Sequence, residues 1–128
     1  MKSEVIFNSD LHFEHEQWRN ELLFWEDELK SFNIRLSELV LKWTDHKMLS
    51  QLEQFQNKFI RHGDVINSLQ EFIHAHEINM AEHFKKGEDV LDNIFVQKHM
   101  EYRGQLEIQR HLYADLKHEF YQFLAKHM

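Results

Sequence analysis

MLSQLEQFQNKFIRHGDVINSLQEFIHAHEINMAEH, residues 48–83, decides the fold. Taken in alternating steps of four and three, it places Met48, Leu52, Phe55, Phe59, His62, Ile66, Leu69, Ile73, His76, Met80 and His83 on one line. All are large and apolar except the three histidines. A repeat of about 3.5 residues held over this length puts one continuous stripe on one long helix. Such a stripe must be covered, and the sequence on either side supplies two more of the same kind.

Upstream, Leu11, His15, Trp18, Leu22, Trp25, Leu29, Phe32, Leu36, Leu39 and Trp43 repeat in the same rhythm, with His15 the one polar member. This predicts a first helix over residues 10–43, with Ser9 as its N-cap and residues 1–8 as a short leader whose Val5, Ile6 and Phe7 pack as a staple onto the first turn. Beyond Trp43 the phase breaks, because continuing it would bring His46 and Ser50 inward in place of Met48 and Leu52. A turn at residues 44–46 resolves the conflict, with Thr44 or Asp45 capping a second helix over 45–85. The next turn lies at residues 85–89, Lys-Lys-Gly-Glu-Asp. Lysines suit a helix C-terminus, glycine the C′ position, and acids the next N-terminus. A third helix over 88–126 then carries Phe95, His99, Tyr102, Leu106, Gln109, Tyr113, Leu116, Phe120 and Phe123, with Leu91 and Ile94 beside the line.

The expected architecture is an all-α, antiparallel, up-down-up three-helix bundle forming a single domain over residues 1–128. Short turns make successive helices antiparallel. In outline it resembles the three-helix spectrin repeat, in architecture alone. A four-helix bundle would arise if the second helix broke at Gly63, but the repeat passes through Gly63 in phase, and a loop would reset it.

Composition narrows the function. The chain has no proline, three glycines and no cysteine, so long helices are expected and neither a disulfide nor a thiolate site is available. A net charge of −7 disfavours nucleic acid and anionic lipid as partners. No apolar run approaches the roughly 20 residues of a membrane span, and no secretion signal is recognisable, so a cytoplasmic location is expected. No glycine-rich phosphate loop or nucleophile elbow is present, so neither an enzymatic activity nor a small-molecule substrate is inferred.

Two patterns remain. On the back of the first helix, Phe13, Leu23, Phe24, Ile34 and Leu41 lie opposite the tryptophan stripe. An apolar row there points to self-association, a homodimer, or docking of another helical protein. A non-catalytic interaction or scaffold protein without a cofactor is the first functional expectation.

The alternative is a metal-binding bundle. Antiparallel register places His15 level with His76, and His76 level with about position 97, between Phe95 and His99. Three imidazoles from three helices form a set suited to zinc, and nickel, copper or cobalt also suit imidazole. The fourth position would then be closed by a carboxylate, from Glu14 or Glu77, or left with a water. The competing expectation is that these histidines are neutral and set register. The same arithmetic puts His62 beside Gln109. A di-iron carboxylate site is disfavoured: Glu71 and His74, and likewise Asp115 and His118, have the Glu-x-x-His type of spacing but fall on outer faces.

Overall fold

The computed structural model describes residues 8–85 and 93–127, which form three α-helices: α1 (Asn8–Lys42), α2 (His46–Lys85) and α3 (Asn93–His127). They contain 35, 40 and 35 residues, so at 1.5 Å per residue each is roughly 50–60 Å long. Among the described residues there is no strand, and no helix is long and apolar enough to cross a membrane. The molecule is an antiparallel three-helix bundle.

α2 runs unbroken through Gly63, so the four-helix alternative does not occur. The other boundaries shift by a few residues. α1 is already helical at Asn8, which puts Ser9 inside the first turn and removes it as the cap. At the far end α1 stops at Lys42, and Trp43 N–H closes the last turn on the Leu39 carbonyl at 3.1 Å. Asp45 is the N-cap of α2. Its Oδ1 accepts from Lys47 N–H at 3.1 Å, and its carbonyl accepts the first helical bond, from Leu49 N–H at 2.9 Å. The expected leader at residues 1–8 and the turn at 85–89 fall largely outside the described residues.

The three stripes meet as the 3.5-residue repeat requires. Every α1 seam position from Leu11 to Leu39 is buried, and so is every α3 position from His99 to Phe120. Side chains of this kind each stabilise by about 1.5–3 kcal/mol when fully removed from water. The centre is aromatic: Phe32, Phe59 and Phe120 pack with ring centroids 5.1–5.8 Å apart. Tyr102 is buried because its hydroxyl donates to the Leu69 carbonyl at 2.8 Å. The expected pair of His62 and Gln109 also forms, at 2.9 Å.

One further device aligns α3 with α1. Glu14, Glu21 and Glu28 follow each other at seven-residue intervals, as do Arg103, Arg110 and Lys117. They pair in order at 2.7, 2.8 and 2.7 Å. Because both series rise together, α1 and α3 run parallel. Half-exposed pairs of this kind add at most about 1 kcal/mol each, so the ladder sets register more than it stabilises.

The apolar core is not continuous. Its main body ends at Trp18, Ile73 and Tyr102. A smaller cluster, Leu11 and Met80 with Phe95 and Val96 against it, lies about two turns further toward the end of the rod. Between the two lies a polar layer.

Candidate metal centre

That layer consists of His15 on α1, His76 on α2 and His99 on α3. Each sits where the heptad rhythm demands an inward side chain, so the backbone commits all three imidazoles to the core. They are 1%, 5% and 0% exposed. Their ring centroids lie 4.8 Å (His15–His99), 4.9 Å (His15–His76) and 5.9 Å (His76–His99) apart. Each ring offers one nitrogen to a set whose members all lie within 4.8 Å of one another.

Aromatic rings hold the imidazoles in place. Trp18 stacks on His99 at 4.8 Å and lies 5.3 Å from His15. Phe95 stacks on His76 at 4.4 Å, with Phe72 at 5.7 Å.

Polar contacts fix two of the rings from outside. His15 Nδ1 lies 2.5 Å from Glu77 Oε1, and His99 Nε2 lies 2.5 Å from Glu14 Oε1. Glu14 is itself gripped by Arg103, whose Nε and Nη2 donate to its two oxygens at 3.0 and 2.7 Å. Glu77 is shared with His12 Nδ1 at 2.7 Å. The remaining nitrogens, His15 Nε2 and His99 Nδ1, face each other at 3.0 Å. His76 Nε2 is buried without a hydrogen-bond partner among the described residues.

The proton count along this chain is short by one. Glu77, His15, His99 and Glu14 are linked by three close contacts in series. Two neutral imidazoles carry two N–H groups between them, and ionised carboxylates carry none. Burial pushes His15 and His99 below the ordinary histidine range, against the opposing pull of Glu77 and Glu14, so both favour the neutral form. Burial would raise Glu14, but Arg103 and His99 outweigh it and hold its carboxyl below the usual value. With each N–H directed to its carboxylate, the two inner nitrogens present lone pairs to each other. His76 is the most depressed of the three, pushed down to about 4 by burial, with the neighbouring imidazoles adding to the effect.

A cation relieves both defects at once. Tetrahedral zinc with bonds of about 2.0–2.1 Å sets its nitrogens roughly 3.3–3.4 Å apart. The His15–His99 separation of 3.0 Å is close to that edge, and bringing the third nitrogen in takes a movement of at most about 1.5 Å. A carboxylate behind a ligating imidazole is the usual outer support of a metal-bound histidine. Here the structure departs from the expectation for Glu14 and Glu77. Both carboxylates engage the outer edges of the rings, His15 Nδ1 and His99 Nε2, and neither is placed among the inner nitrogens. Arg103 was not anticipated as part of this arrangement, although its place in the seven-residue ladder with Glu14 is visible in the sequence.

The back of α1 is arranged differently. Phe13, Leu23, Phe24, Ile34 and Leu41 are all exposed, from 47% at Leu23 to 89% at Leu41. Exposed Gln17, Asn20, Asp27, Ser31 and Glu38 interrupt them along the same line. Phe24 is partly covered within the chain, with Lys117 Nζ 5.6 Å above its ring. Glu71, His74, Asp115 and His118 are exposed and lie off the seam.

Comparison with protein-family models, with curated proteins and with solved structures finds no match to this chain.

Proposed function

We propose that this protein is a metal-binding helical bundle in which His15 Nε2, His99 Nδ1 and His76 Nε2 hold one divalent transition-metal ion. Zinc fits a set of three imidazoles without demanding a further geometry, and cobalt, nickel and copper are accepted by the same donors. The observation that supports this most strongly is the facing pair of inner nitrogens 3.0 Å apart, each ring held from behind by a carboxylate. The buried, unpartnered His76 nitrogen completes the set. The ion joins one ligand from each helix, so its direct consequence is to fasten the three helices at one end of the rod.

The test is thermal unfolding of chelator-stripped protein with and without added zinc. A ligand bound by the folded state alone, at a hundred times its Kd, adds about 2.7 kcal/mol, which for a domain of this size raises Tm by roughly 10 °C. A melting temperature unmoved by zinc, cobalt, nickel and copper alike overturns the reading.

A second reading, association through the back of α1 as a homodimer, rests on the exposure of Phe13, Phe24, Ile34 and Leu41. The polar residues between them make this row a weaker basis than the histidine layer. Light scattering of the parent and of a Phe24→Glu/Ile34→Glu variant tests it: a dimer reduced to monomer supports the reading, and equal masses contradict it.

A further inference from the structure

Resting on the metal reading above, we infer that the centre keeps its fourth coordination position for a small exogenous monoanion. Three nitrogens delivered in one layer by three roughly parallel rods leave the fourth direction along the rod axis. On the inner side that direction is filled. Trp18 packs on both His99 and His15, and Tyr102 packs on Trp18 at 5.0 Å with its hydroxyl committed to the Leu69 carbonyl. On the outer side stands the small cluster of Leu11 and Met80 with Phe95 and Val96. Among the described residues no fourth histidine, cysteine or carboxylate joins the set. Glu14 is occupied by His99 and Arg103, and Glu77 by His15 and His12.

Charge then selects the ligand class. A divalent ion with three neutral imidazoles, the Glu14 and Glu77 carboxylates and the Arg103 guanidinium leaves one net positive charge in a site whose ligands are at most 5% exposed. Lys98 adds to the same sign. Uncompensated charge in such surroundings is costly, and one small monoanion on the metal neutralises it. The one heteroatom side chain of the outer cluster, the Met80 thioether, is neutral and leaves the charge in place.

The experiment is a titration of cobalt-loaded protein with sodium azide, followed in the visible ligand-field bands, on the parent chain and on Met80→Leu. The expected result is one cobalt per chain, a saturable spectral change with azide at one equivalent per metal, and the same change in Met80→Leu. Stoichiometric cobalt whose spectrum ignores azide overturns the inference while leaving the metal centre standing. A cobalt spectrum that changes on Met80→Leu before azide is added assigns the fourth position to the thioether and overturns it equally. No cobalt uptake removes the metal reading and this inference together.

Discussion

His15 Nε2 and His99 Nδ1 face each other at 3.0 Å in the core of the bundle, each imidazole with a carboxylate 2.5 Å behind its other nitrogen. This relationship gives the polar layer its chemistry. A pair of neutral imidazoles used only to set helix register would need one N–H directed between the rings. With the two N–H groups directed outward to Glu77 and Glu14, two lone pairs face each other beside the buried His76 nitrogen.

Replacing His76 by leucine separates the metal reading from a purely structural one. An unsatisfied buried donor or acceptor costs about 1–3 kcal/mol. His76→Leu therefore raises the stability of stripped protein by roughly 1 kcal/mol in urea unfolding, while abolishing the stabilisation by zinc. A loss exceeding about 2 kcal/mol in stripped protein would mean that His76 makes a favourable bond of its own.

The carboxylates behind the rings tune affinity. Glu77→Gln keeps the shape of the side chain and removes the negative charge facing His15 Nδ1. Loss of such an outer partner costs about 10–100-fold in metal affinity. Competition against a chelating dye measures it, and an unchanged zinc Kd would place the metal away from His15.

Acid destabilises the stripped protein through His76. Its folded-state pKa is about 4 against an unfolded value of 6.5. Above pH 6.5 the group is neutral in both states and its full stability is present. Between 6.5 and about 4 the unfolded chain binds a proton that the folded chain refuses, so stability falls with pH, by up to about 1.4 kcal/mol per unit from this group. Below about 4 the contribution levels off. Chemical unfolding of stripped parent and His76→Leu at several pH values reads the difference, and equal slopes would contradict the assignment.

Gly63 tests the continuity of α2. A methyl group added at Gly63 or at Gly104 meets nothing within 4 Å, and both lie inside helices. Gly63→Ala and Gly104→Ala should each stabilise by about 0.5–1 kcal/mol. Destabilisation at Gly63 would reveal a break in the helix.

Much of this architecture was legible in the chain because a 3.5-residue repeat fixes both the helix and its inward face. Once the inward residues of neighbouring antiparallel helices are known, register follows to about one turn. That sufficed to place His15, His76 and His99 in one layer and His62 beside Gln109. Side-chain direction was not legible at that resolution. Glu14 and Glu77 lie near the layer in any such register, but whether they ligate or support depends on a few ångströms of rotation. The cap was ambiguous for a similar reason: Thr44 and Asp45 are both good caps, and the choice depends on where the first helical carbonyl falls. The Glu14–Arg103, Glu21–Arg110 and Glu28–Lys117 ladder was within reach, since both series repeat every seven residues, but it lies on the flanks of the stripes and away from the apolar signal.

Metal binding by the three buried imidazoles is the proposal on which the other metal-linked expectations depend. Its most direct test is the metal content of untagged protein, purified without chelator and resolved on a light-scattering column, for the parent and for His76→Leu. Close to one transition-metal ion per chain is expected in the parent and none in the variant. Parent protein that stays metal-free even after incubation with excess zinc, cobalt, nickel and copper would contradict it.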